Sequence, residues 1–182
     1  MFERRFVVVV LLAAALFTNA CGQTPEDQTS TGPPPNVVIV MVDTLRADHM
    51  SLYGYERRTT PFIRKFASES LVFAHARSQS ACTFPSVNSL LTSRYPAIFN
   101  RQEKGQLGIP DDIPAIAEIL KANGYQTVAV SASPIVRATP SKYNPTGGFE
   151  KGFDAFIEGC VWRHGGCVNQ NVFEPLENIS EP

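Results

Sequence analysis

Residues 36–43 read Asn36-Val-Val-Ile-Val-Met-Val-Asp43, and the texture of this stretch decides the fold class. Val37 to Val42 are apolar without alternation, which predicts a strand buried on both faces of a parallel sheet. In open α/β sheets ligands gather beyond the carboxyl ends of the strands, where Asp43 stands. A carboxylate at the end of an apolar strand is costly unless it is paired. Two readings fit it: a helix cap or an ion pair with Arg46, or a ligand for a hard metal ion.

Working outward, Thr60 followed by Pro61 reads as an N-cap with proline at the first helical position. It predicts a helix to about Glu69 with Phe62, Ile63 and Phe66 on one face. Leu71 to Ala74 is a short strand candidate. Pro85 opens a second helix with apolar positions Val87, Leu90 and Leu91, closed by Arg94 and Pro96. Pro114 opens a third, with Ile116, Ile119 and Leu120 on one face and Asn123-Gly124 as its stop. Thr127 to Val130 is another buried strand. The order is that of an α/β protein with a mostly parallel sheet flanked by helices. No internal repeat appears, and from Pro140 onward glycines at 147, 148, 152 and 159 punctuate a less regular segment.

The chain has 182 residues, 43% hydrophobic and 18% charged, enough for one domain with a core. Sixteen Lys and Arg against seventeen Asp and Glu give a formal net charge of −1, so the basic footprint of a nucleic-acid binder is missing. The N-terminus is different material. Arg4 and Arg5 precede an uninterrupted apolar run from Phe6 to Phe17, too short to span a bilayer and typical of an export signal. Ala20-Cys21 at its end resembles a bacterial lipoprotein processing site, with Thr18 where leucine is usual. The expected organisation is a signal peptide over 1–20, a lipid-anchored Pro-rich tether over 21–35 and a folded part over 36–182. That places the protein in the bacterial cell envelope, with Cys21 lipidated. Gly22 to Pro35 has no Val, Ile, Leu or aromatic residue and, as coil, reaches roughly 20 Å.

Cys160 and Cys167 bracket a short loop, and in an exported chain they read as a disulfide that leaves Cys82 free. The alternative is a metal site recruiting His164, which offers three ligands at most. Thr83-Phe-Pro-Ser86 runs into the second helix, where free N–H groups and the helix dipole favour a phosphate or sulfate. By itself this start also reads as ordinary capping.

Taken in order, Pro35 to His49, Leu52-Tyr-Gly-Tyr55 with Thr59-Thr-Pro61, and Pro85-Ser86 with Ser89-Leu-Leu-Thr-Ser-Arg-Tyr-Pro96 resemble the sulfatase branch of the alkaline phosphatase superfamily. Ala117-Glu-Ile-Leu120 with Gly124-Tyr-Gln-Thr127, and Gly152-Phe-Asp154, resemble further landmarks of that family. The resemblance implies an α/β fold, a bound divalent metal (Ca, Zn or Mn) and attack on a sulfate or phosphate ester. On it, Asp43 is a metal ligand and Thr83 is both nucleophile and metal-bound oxygen. Arg46 and Arg94 neutralise the substrate anion or are plain solvated arginines.

The departures bear on the chemistry. Many sulfatases carry Cys-x-Pro-Ser-Arg, whose cysteine becomes formylglycine; here Thr83 holds that position, Val87 replaces the arginine, and Cys82 is a bystander. A threonine hydroxyl has to attack directly, which shifts the expectation toward phosphoryl transfer. Thr44 stands where many sulfatases have a second aspartate. The family's later Asp-His-Gly-Glu stretch is not among these residues, so the metal site is expected to be incomplete and the chain to be the N-terminal part of a longer enzyme, inactive without a C-terminal companion. The competing expectations are a non-catalytic surface lipoprotein and part of a phosphoglycerol- or phosphoethanolamine-type transferase.

Overall fold

The computed structural model describes residues 32–101, 107–160 and 165–177. The expected signal, the lipidated Cys21, most of the tether and His164 lie outside the described residues. The chain divides into two units, one ending at Val40 and one beginning at Met41. In the first, residues 32–40 form neither helix nor strand.

The second unit contains four helices among the described residues: α1 Pro61–Ala67, α2 Thr83–Thr92, α3 Ile116–Ala122 and α4 Gly165–Glu177. Three 3-10 turns accompany them, at Ala47–His49, Ser51–Tyr53 and Pro96–Arg101. Two strands, β1 Val128–Val130 and β2 Ala155–Ile157, pair in parallel with Val128 opposite Ala155. No helix among the described residues is long and apolar enough to cross a membrane.

Several expectations are corrected here. Val37 to Val42 form no strand, and their side chains are 50 to 83% exposed. An unalternating apolar run becomes a strand only where neighbours pair with its edges and helices cover its faces. The only sheet among the described residues is β1–β2. Leu71 to Ala74 likewise stay irregular and exposed. Helix α1 ends at Ala67, short of Glu69, and Phe62 and Phe66 on it remain 85% and 74% exposed. The Thr60 side chain does not cap it, because its hydroxyl accepts the Ser51 N–H at 3.0 Å. Helix α2 begins at Thr83 rather than Pro85; the ring sits in the first turn, where its missing N–H costs no intrahelical bond. In α3, which starts after an Ala115 N-cap rather than at Pro114, the buried residue is Ala117, while Ile119 is 54% exposed. The cause is a close chain crossing: a side chain on Gly152 would meet the Glu118 backbone nitrogen at 2.4 Å, so small residues are needed on both sides.

Among the described residues the core lies in the later part of the chain. Val87, Ile109, Ala115, Val136 and the fully buried Phe149 form one cluster, with Leu91, Leu107 and Phe156 against it. No described residue before Val87 is buried. Phe149 is held by backbone bonds, its N–H to Arg137 O at 3.0 Å and the Gly148 N–H to Ala138 O at 3.2 Å. Asn144, also fully buried, ties the same turn: its Nδ2 donates to Ile135 O and Gly147 O, and its Oδ1 accepts the Gly147 N–H. Cys160 and Cys167 are joined by a disulfide, which fixes the first turn of α4 to the end of β2. Helix α4 was not anticipated from sequence; Val168, Val172 and Leu176, spaced four apart, were the signal.

The landmark residues Thr127 and Asp154 set the sheet register. The Thr127 N–H donates to Asp154 Oδ2 at 2.9 Å, and the Asp154 N–H donates to Thr127 O at 2.8 Å. The Lys121 ammonium 2.5 Å away, followed by the Thr127 donors, lowers the Asp154 carboxyl to about 2 from 3.8. A folded-state value below the unfolded one adds stability above about pH 4 that is lost as pH falls through the folded value. The stability difference between the parent and Asp154→Asn is therefore expected to be constant above about pH 4 and to shrink toward pH 2. Denaturant midpoints across that range check it; a difference that grows on acidification contradicts the clamp.

Candidate functional site

Two residues 40 apart in sequence meet at the start of α2. The Thr83 hydroxyl donates to Asp43 Oδ2 at 3.0 Å, and the neighbouring Thr44 hydroxyl donates to Oδ1 at 3.3 Å. Each element contributes for a local reason. Asp43 lies in a turn in which Thr44 takes φ 62°, a left-handed conformation that is uncommon for a threonine. Thr83 is the first residue of α2, whose N-cap Cys82 supplies no side-chain cap. Pro85 has no N–H and the Ser86 N–H bonds Cys82 O, so the N–H groups of Thr83 and Phe84 remain for an anion in front of the helix.

Of the other anticipated residues, Arg46 does not pair with Asp43. Its guanidinium forks onto Asp48, at 2.9 and 2.5 Å, with both side chains exposed. That contact holds the Asp48 carboxyl below the usual carboxylate range. Arg94 follows α2 at its far end and lines a cavity together with Arg77. Cys82 is free and exposed. Sequence reasoning named Ser86 only within the helix start and missed Ser78; their hydroxyls are 2.7 Å apart beside the first turn of α2.

A dication prefers six or more oxygen ligands, and Asp43 and Thr83 provide two suitable oxygens. No group of three or more His, Cys, Asp or Glu side chains gathers among the described residues. Asp43 fits the role of one ligand; the set as a whole does not hold a catalytic ion.

The family model described as Sulfatase matches residues 35–164, which is most of the chain and contains both Asp43 and Thr83. The chain belongs to the sulfatase family. Members of that family generally use a calcium or magnesium ion. The chain is 30% identical over 128 residues to an N-acetylgalactosamine-6-O-sulfatase of Bacteroides thetaiotaomicron, covering 66% of this chain and 24% of that protein. It is 29% identical over 151 residues to human arylsulfatase A, covering 78% of this chain and 29% of the relative. An ulvan-active sulfatase of Formosa agariphila is 33% identical over 93 residues, covering 51% of this chain and 18% of its own length. This sulfatase-family chain thus spans 24% and 29% of the length of the first two relatives. No solved structure matches. Membership of the family implies the α/β fold of the alkaline phosphatase type, of which the helices and the small parallel sheet are a part.

Proposed function

We propose that the protein acts in hydrolysis of sulfate or phosphate esters, with Thr83 as nucleophile. The observation that carries this reading is the 3.0 Å hydrogen bond between Thr83 Oγ1 and Asp43 Oδ2 at an uncapped helix start. The bond turns the hydroxyl proton toward Asp43 and leaves the oxygen lone pairs for an ester in front of α2. In the reaction the Thr83 hydroxyl passes its proton to Asp43 as Oγ1 forms a bond to sulfur or phosphorus, the bond to the leaving oxygen breaks and that oxygen takes a proton from water, and a second water hydrolyses the threonine ester to restore the hydroxyl. The N–H groups of Thr83 and Phe84 face the developing negative charge. Asp43 and Thr83 are the residues that would contribute to a divalent metal site, and further ligands are required to complete it. A threonine in place of the motif cysteine supports phosphate as well as sulfate esters. The anionic ester, the membrane reached through a lipidated Cys21, the cell-envelope location and a companion segment bearing the remaining ligands belong to the same reading.

The test is turnover of an aryl sulfate and of a phosphodiester by the 182-residue chain supplied with Ca, Zn or Mn. No hydrolysis dependent on Thr83 is expected from these residues by themselves, because two oxygens do not retain the ion against water. A rate that disappears in Thr83→Ala would uphold the nucleophile and refute the need for further ligands.

A further inference from the structure

Ser86, Ser89 and Ser93 recur along α2 and its cap at the spacing that places residues on one helical face. That face walls a cavity of about 600 Å³, and Arg77 and Arg94 line it from outside the helix. No acidic residue lines it, and neither Asp43 nor Thr83 does. Neither arginine makes a hydrogen bond or an ion pair among the described residues. Ser89 is 5% exposed, and its hydroxyl has no hydrogen-bond partner among the described residues. A buried hydroxyl without a partner is costly, so a ligand that accepted from it would be favoured.

We propose that this cavity is an oxyanion site, taking one sulfate or phosphate group between the two arginines and the Ser89 hydroxyl. The charge balance favours an anion, since two arginines line the cavity and no carboxylate does. Their planar forks suit tetrahedral oxyanions, which accept two parallel N–H bonds from each. The cavity begins at Ser78 and Ser86 beside the first turn of α2, and the proposed oxyanion lies at its other end, away from the ester under attack. Ser89 and Ser93 lie six and ten residues beyond Thr83, about 9 to 15 Å along the helix axis. A ligand bearing two oxyanions at that separation places one at Thr83 and one at Arg94. This last step rests on the nucleophile assignment, whereas the oxyanion affinity does not.

The experiment is an amide-resolved NMR titration of the full chain with sodium sulfate, and separately with sodium phosphate, against sodium chloride at matched ionic strength. Shifts are expected at residues 77–78 and 86–94. Arg77→Ala and Arg94→Ala each weaken binding about tenfold or more, and the Lys replacements weaken it severalfold while keeping the charge. Ser89→Ala weakens binding with an unfolding midpoint unchanged or raised, an outcome that a purely structural hydroxyl would not give. Arg64→Ala, on α1, binds as the parent does. The affinities read at Arg77, Ser89 and Arg94 do not depend on Thr83 acting as nucleophile, so a failed nucleophile assignment leaves this titration intact. A third arm compares a monosulfated with a disulfated disaccharide: tighter binding of the disulfated sugar, lost in Arg94→Ala, assigns the group to a larger ligand. Equal binding of the two sugars, with the sulfate arm positive, assigns the site to the free ion. Parent-like sulfate affinity in both arginine variants, or shifts confined to other residues, overturns the proposal.

Discussion

Replacing Gly147 with alanine is expected to cost about 3 kcal/mol or more and to disrupt the packing around Phe149. Gly147 takes φ +70°, and a Cβ there would sit 1.9 Å from the Ala138 carbonyl oxygen. The same carbonyl accepts the Gly148 N–H, one residue before Phe149, so the new methyl group and the existing bond compete for it. Relief requires the 137–139 segment to withdraw, and with it the Arg137 carbonyl that holds the Phe149 N–H. Whole-domain stabilities are about 5 to 15 kcal/mol, so the loss is a large share. Gly54 supplies the comparison. Its φ of +95° carries the same conformational restriction, but a Cβ there meets nothing within 4 Å. Gly54→Ala should therefore cost only the backbone part, about 1 to 2 kcal/mol. Denaturant midpoints for the two variants, with near-ultraviolet circular dichroism as the packing signal, decide it; equal midpoints would refute the steric account.

Thr83→Ala is expected to reduce ester hydrolysis at least about a thousandfold in any assembly that supplies the remaining ligands. The loss should fall on kcat, because the missing oxygen is the atom that forms the new bond, and Thr83→Ser should retain activity within about tenfold because it keeps that oxygen. Stability should hardly change. Thr83 is only partly buried, and the bond it loses is exposed, worth about 1 kcal/mol or less. An alanine variant that turns over at more than a tenth of the parental rate would remove Thr83 from the chemistry and leave the family assignment untouched.

The readable and unreadable parts of the sequence divide on a physical line. Local signals carried through: Pro61 and Pro85 each lie within the first turn of a helix, Asn123-Gly124 follows α3, and Val128–Val130 is a strand. These depend on nearest-neighbour conformation. The pairing of Asp43 with Thr83 was legible only through the order of motifs, because nothing in either segment alone specifies a partner 40 residues away. What could not be read were outcomes fixed by distant cover. Val37–Val42 has the composition of a central strand, and composition cannot create the neighbours such a strand needs. Ile119 was expected inside and Ala117 was not weighed, because the close passage of Gly152 against α3 is a tertiary event. The Arg46–Asp48 fork was equally open to view at two-residue spacing, yet Asp43 was the one carboxylate weighed as an ion-pair partner for Arg46, as the alternative to a metal-ligand role.

Among the described residues burial begins only at Val87, and this bears on the chemistry proposed for Asp43 and Thr83. A hydrogen bond between two solvent-facing groups, unsupported by close packing on the Asp43 side, is remade with water at little cost, so the productive geometry competes with many hydrated ones. Catalytic dipoles are effective when they need no reorganisation at the moment of reaction. Packing over residues 41–86 would remove that reorganisation. Covering them would therefore raise the rate by fixing orientation, even before it contributed a single new reactive group.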